Sequence, residues 1–356
     1  MQWKTHIKVF TVVFILSFIA SCVLTGGKKN QTGPLEIPEN YGDMKVKQIT
    51  DSGESLRPFP SDDGKRLLYV SRNKSTHKNL QAYERDLVAN KEKRLTYQNG
   101  EVFEVQYYNN ETRYVYSSST DEIKENSPFI EKELLAMKGL DANELIQKDD
   151  SGLILPRTEI YRATLDSSRI DRITNEPNFD GDISIRGKRH ELVFVRWVRD
   201  VPQSFVLNTK TKNLSSVGNE KTWTSDPAYS DEGEELAWVE KSDDAGWLLL
   251  TGSAYGKNGK VRYQSPHRIR DLVWHPKSNE IFFSEQNASN AEIYALTLET
   301  GCKRQITFHS ALDFHPYPTA DGSKIYFSSD RSGDFQIYEA SLTGLPACPE
   351  TKPTIE

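Results

Sequence analysis

Cysteine is scarce in this chain: only Cys22, Cys302 and Cys348 occur among 356 residues. That is too few for a disulfide scaffold, and without clustered histidines it is a poor basis for a metal site. No P-loop, HExxH or dinucleotide fingerprint is present, and no Gly-x-Ser-x-Gly elbow. The common signatures of phosphate, zinc, nicotinamide and serine-hydrolase chemistry are therefore missing, and no cofactor is implied. Long runs of one charge are missing too, and the formal net charge is −6. A mildly acidic chain argues against non-specific nucleic-acid binding, which needs concentrated Lys and Arg. Beyond the first twenty residues no strongly apolar helix stands out, while aromatics make up 10% of the chain. That balance leans towards β structure.

The one long apolar run, Val9 to Ala20, follows Lys4 and Lys8. It is short for a membrane span and right for a signal-peptide core. It ends in Ile19-Ala20-Ser21-Cys22, which resembles the lipobox of bacterial lipoproteins. The resemblance implies diacylglyceryl transfer to the Cys22 thiol, cleavage before Cys22, and acylation of the new amino group. The competing reading is a plain secretory signal with a chance cysteine. Each buried acyl methylene adds about 0.8 kcal/mol, so several chains on one residue anchor stably. Position 23 is valine, not the aspartate that resembles an inner-membrane retention signal, so the expected site is an outer membrane, facing the periplasm. Residues 1–21 are read as signal and 22–43 as lipidated cysteine and flexible tether. Loss of the signal removes two lysines and moves the formal charge from −6 to −8.

What the chain has in abundance is repetition. The clearest copy runs from Pro318 to Leu342: an Asp321-Gly322 turn, a strand Lys324 to Ser329, a polar turn, and a strand Gln336 to Leu342. Asp-Gly supplies the positive φ that such turns need. An aromatic sits in the middle of each comparable strand, at Tyr69, Tyr116, Phe194, Trp238, Phe283 and Phe327. The intervals are 47, 78, 44, 45 and 44 residues, and a four-stranded propeller blade takes about 40–45. In the next strand, Tyr83 and Leu87, Tyr161 and Leu165, Tyr294 and Leu298, and Tyr338 and Leu342 each lie four apart, on one face. Six copies predict an all-β, six-bladed propeller over residues 44–345, with a tail at 346–356; a β-sandwich is the alternative that a constant period disfavours. These repeats resemble those of the TolB-like propellers (the PD40, WD40-like repeat family). The resemblance implies that fold, and protein partners in the cell envelope.

A short segment ends several units: Lys93-Arg94-Leu95-Thr96, Asp171-Arg172-Ile173-Thr174 and Arg304-Gln305-Ile306-Thr307. Its remaining copy, Lys47-Gln48-Ile49-Thr50, precedes the first unit, whereas the last unit has none after Leu342. Residues 44–51 are therefore expected to supply the missing outer strand of the final blade and close the ring.

The long interval marks an insertion at about residues 122–157 in blade 2. Phe129, Ile130, Leu134, Leu135 and Met137 among Glu and Lys suit an amphipathic helix, and Asp141 to Lys148 suits a second short one. Its apolar face either lies back on the propeller or docks a partner. Cys302 and Cys348 are candidates for a disulfide, which export permits. His275, His315 and Asp271, with Asp180, Asp182, Asp226 and Asp231, are the candidates near the channel: the acids for attracting a basic peptide or a cation, against a reading as solvated loop acids, and the histidines for an enzymatic site, against a structural role. His275 and His315 lie 8 and 12 residues before their strand aromatics, so they are not equivalent. Arg72 and Asp330-Arg331 are expected to tie strand turns together by ion pairs. The function expected is a monomeric binding or assembly module for envelope proteins, with no catalytic motif recognised. The alternatives are a channel enzyme of lyase or hydrolase type acting on a saccharide or small molecule, and a sensor of a small ligand.

Overall fold

The computed structural model describes residues 46–345 other than 99, 109, 121–146, 149–153, 156, 177, 187–188, 199–200 and 220–221. The chain divides into two units, 1–40 and 41–356, and every described residue belongs to the second. Among the described residues there is no helix, and hence none long and apolar enough to cross a membrane. Six four-stranded antiparallel sheets follow one another along the chain as the blades of a propeller. Their inner strands are Glu54–Pro60, Val102–Tyr108, Asp180–Arg186, Thr224–Tyr229, Arg268–Trp274 and Asp313–Pro318.

The repeated aromatics form one device. In each blade the second-strand aromatic lies directly opposite a large residue of the third strand: Tyr69 and Tyr83, Tyr116 and Tyr161, Phe194 and Phe205, Trp238 and Leu250, Phe283 and Tyr294, Phe327 and Tyr338. The Tyr116–Tyr161 rings stack with centroids 5.3 Å apart, and the Tyr69–Tyr83 rings at 5.7 Å. Such a pair adds about 0.5–1.5 kcal/mol beyond the area it buries. Second strands are covered on both faces by neighbouring blades, as the run of buried residues from Leu67 to Arg72 shows.

The threonines that end the repeat have a specific task. Thr96, Thr174 and Thr307 each accept a hydrogen bond from a third-strand amide, those of Ala82, Ile160 and Ile293, at 2.8–2.9 Å. These are amides that the short outer strand leaves for a side chain to satisfy. Closure of the ring uses the same contact. Val46–Gln48 pairs antiparallel with Gln336–Ser341, with Val46 opposite Ala340 and Gln48 opposite Tyr338. Thr50 then accepts from the Ile337 amide at 2.8 Å and donates to Gln336 Oε1 at 2.7 Å. The expected closing strand is thus present in register.

The acyl-site Cys22 and the apolar set Phe129, Ile130, Leu134, Leu135 and Met137 lie outside the described residues, as does Cys348. Cys302, which opens the outer strand of blade 5, is disulfide-bonded, its partner also lying outside them. One part of the insertion departs from expectation. Gln147–Lys148, assigned to the end of a second helix, instead pairs antiparallel with Ile154–Leu155. The Asp-Asp-Ser-Gly sequence between them is turn chemistry, which favours a hairpin over a continued helix. The ion pairs expected of the arginines are formed: Arg72 on Glu54, and Arg331 on Asp313 at 2.8 Å.

Two measurements test this arrangement. Deleting residues 44–51 removes the closing strand and should lower the melting temperature by many degrees, whereas Thr50→Val should cost about 1–2 kcal/mol in urea unfolding. The second concerns Glu292, two residues before Tyr294 in the third strand of blade 5, where Gln81, Gln203 and Gln336 stand in other blades. Burial, with the nearby Asp313 charge, raises its pKa to about 7. A carboxyl raised on folding contributes least above its folded pKa, so stability falls as pH rises from about 4.5 to 7. Glu292→Gln should therefore stabilise by about 1–2 kcal/mol at pH 8 and change little at pH 5.

Candidate functional site

Each inner strand carries one irregularity. The ladder to the second strand shifts register between Leu56 and Phe59, Val102 and Glu104, Gly181 and Ser184, Ser225 and Ala228, Arg270 and Val273, and Phe314 and Tyr317. Such a bulge re-aims a side chain. Five of the bulged residues, Arg57, Asp182, Asp226, Asp271 and His315, have φ between 50° and 56°. With Glu104 they form a ring of six, one from each blade, all lining a cavity of about 410 Å³ among the inner strands. All six lie twelve residues before the strand aromatic of their own blade: 57 before Tyr69, 104 before Tyr116, 182 before Phe194, 226 before Trp238, 271 before Phe283 and 315 before Phe327.

The ring is wired from blade to blade. The Asp271 amide donates to the Asp226 carboxylate at 2.7 Å, and the His315 amide donates to Asp271 at 3.2 Å. The Ile183 amide donates to Glu104 at 2.9 Å, and the Arg57 amide donates to Ser328 Oγ at 3.0 Å. Ser328 Oγ also lies 3.2 Å from His315 Nδ1. The Arg57 guanidinium donates to Asp182 at 3.0 Å and sits 3.9 Å from Glu104.

Protonation is uneven around the ring. Burial lifts Glu104 to about 7, Arg57 opposing and Asp182 adding to it. Burial lifts Asp226 to about 6, with the charges of Asp182 and Asp271 acting in the same direction. Burial alone would raise Asp271 as well, but His315, Arg270, Arg57 and the His315 amide hold it below the usual carboxylate range. His315 is pushed down to about 3 by burial, with Asp271 opposing, so it is neutral at pH 7. Burial works against the charge on Arg57, yet Asp182, Glu104 and Asp271 outweigh it and raise its pKa.

One sector of the cavity is aromatic. Phe59 lies 4.3 Å from Tyr317 and 6.1 Å from Tyr107, between ring centroids. Asp62 and Asp231 lie on the same lining.

The candidates named from sequence fall on both sides of this geometry. His315, Asp271, Asp182 and Asp226 are in the ring, and Asp231 is on the lining. Asp180 is buried in an ion pair, accepting two bonds from Arg196 at 2.7 Å. His275 is not on the lining. It packs on the turn of blade 6, its Nε2 3.3 Å from the Gly322 carbonyl, and a Cβ on Gly322 would come within 2.5 Å of the imidazole. Arg57 and Glu104 were missed. Among the described residues no group of three or more His, Cys, Asp or Glu is close enough to hold a metal ion.

Comparison with known proteins agrees with this architecture. A putative TolB from Agrobacterium tumefaciens superposes with a TM-score of 0.57 at 11% identity, over 84% of this chain and 93% of that one. By fold, this chain is a TolB-like propeller. TolB from Acinetobacter baumannii matches at a TM-score of 0.56 and 15% identity, over 80% of this chain and 65% of that one. An oligogalacturonate lyase solved with manganese matches equally well, at 0.56 and 16% identity, over 83% and 80%. No family model matches the sequence. At these identities the likeness is one of fold, which proteins named TolB share with a lyase.

The ring's electrostatics give a test of the site. Arg57→Met leaves Glu104 and Asp182 without their cation and should destabilise by about 3 kcal/mol at pH 8. Glu104 is raised on folding and so is protonated at pH 5, where less charge is left uncompensated. The loss in urea unfolding should therefore be distinctly smaller at pH 5 than at pH 8.

Proposed function

We propose that this TolB-like propeller is a binding module of the bacterial cell envelope, tethered to a membrane by acylation at Cys22, and not an enzyme. Its partner is an envelope protein recognised across the cavity mouth and the blade-2 insertion. The observation that carries the reading is the charge balance of the ring: four acidic side chains share it with one arginine, the histidine is neutral, and one further cation, Arg270, stands 4.0 Å from Asp271. Such a surface attracts a basic segment and holds it without bond-making chemistry.

The same balance weighs against a lyase reading borrowed from the oligogalacturonate neighbour. A chain of uronates is a polyanion, and a ring richer in carboxylate than in arginine repels it. His315 keeps a narrower enzymatic reading in view, since a neutral, cavity-lining imidazole can accept a proton. That reading calls for turnover of a neutral saccharide or small molecule that is lost in His315→Gln.

The binding reading is tested in native membranes. Cys22→Ser should move the protein from the membrane to the soluble fraction. Crosslinked capture should recover one defined envelope protein with wild type, and at least about tenfold less with Asp182→Asn/Asp226→Asn or with residues 127–155 deleted. Capture of nothing by a correctly anchored wild type would overturn the reading.

A further inference from the structure

Resting on the binding reading, a further step names the chemistry that binds. We propose that the cavity takes an organic cation, a guanidinium or primary ammonium on a short apolar stem. Its charge sits among Asp182, Asp226 and Asp271, and its stem lies along Phe59 and Tyr317.

The cavity is not simply a cluster of acids, because its two sides differ in kind. Blades 3, 4 and 5 present three aspartates in sequence, and the ring's only arginine is drawn to one end of them, on Asp182 and Glu104. Asp226, in the middle, accepts one backbone amide and among the described residues has no cation within salt-bridge distance, while Arg270 stands 4.0 Å from Asp271. Blades 6 and 1 present aromatic faces, with Phe59 and Tyr317 in contact at 4.3 Å. Tyr317 is part-buried on the cavity lining. A phenol open to a polar cavity can both donate to and accept from a ligand there.

Size and charge then select the ligand. The three aspartates do not converge as one group that could hold a metal ion, so a bare divalent cation leaves at least one of them unanswered. A planar guanidinium presents donors in several directions and bridges separated carboxylates. A free volume of about 410 Å³ holds a head group with several methylenes, and aromatic faces favour a cation and its stem over water. The mouth acids Asp62 and Asp231 extend the attraction outward. An arginine or lysine side chain of a partner and a free small amine share this chemistry.

Calorimetry with the purified protein separates these cases. Butylguanidinium should bind wild type, and its neutral isostere butylurea should bind at least about tenfold more weakly. Asp226→Asn should weaken butylguanidinium about tenfold, and Tyr317→Phe, which keeps the ring and the fold, should weaken it by a smaller but measurable factor. Absence of binding by folded wild type would overturn the inference. So would equal affinity for butylurea, or magnesium that competes as well as the organic cation. Indifference to both substitutions would overturn it as well. An unstructured peptide with a single arginine identifies the source. Comparable binding points to a partner side chain; binding of butylguanidinium alone keeps this inference and removes the protein-docking role of the cavity. Capture of an envelope protein without any cation binding does the reverse.

Discussion

The contact on which the rest of this propeller depends is a hydrogen bond between neighbouring inner strands at their bulges. Asp271 donates its amide to Asp226, and His315 donates its amide to Asp271. Each inner strand is the edge of its sheet, so alternate amides have no partner in the ladder. At the bulges of blades 1, 3, 5 and 6 an amide is given to a side chain of the preceding blade, and the bulge re-aims the attached side chain. The same irregularity therefore joins the blades and builds the site. A carboxylate is the acceptor best suited to that amide, because a charge-assisted bond is roughly twice as strong as a neutral one. The acids are thus part of the scaffold as well as of the surface offered to a ligand.

A ring of blades held in this way still needs its ends joined. The pairing of Val46–Gln48 with the third strand of blade 6 gives that blade the outer strand its own segment lacks. Thr50 repeats there the amide contact that Thr96, Thr174 and Thr307 make elsewhere. Closure also protects an edge that would otherwise invite pairing with another chain. A closed ring fixes the radius at which the six bulges meet, and so the spacing of the aspartates.

Much of this was legible in the sequence. The period of the strand aromatics gave the six blades, and the displaced Gln-Ile-Thr segment gave the closure, because both are local patterns repeated with constant spacing. The site was only partly legible. Asp182, Asp226, Asp271 and His315 stood out as charged or titratable residues near inner strands, whereas Arg57 and Glu104 did not, although all six lie twelve residues before a strand aromatic. The signal existed: His315 lies twelve residues before Phe327, and the same subtraction from each strand aromatic yields the whole ring. It was hidden because the residue types differ around the ring, so that only geometry unites them. His275 illustrates the converse. It resembles His315 as His-Pro in sequence, yet it stands four positions further along, just past the end of its strand, and props a neighbouring turn.

The central claim is that one relay of bulges sets six different environments on one ring. Carbon-detected NMR titration of the aspartate carboxyls tests it most directly, with Asp226 and Asp271 assigned through their Asn variants. Burial and two neighbouring carboxylates place Asp226 at about 6, while Asp271, backed by His315, Arg270 and Arg57, stays ionised well below the ordinary range. The account predicts two well-separated transitions in that order. Titration of both residues together near pH 4 would contradict it, because the two carboxyls would then be solvated surface acids and not links of a buried ring.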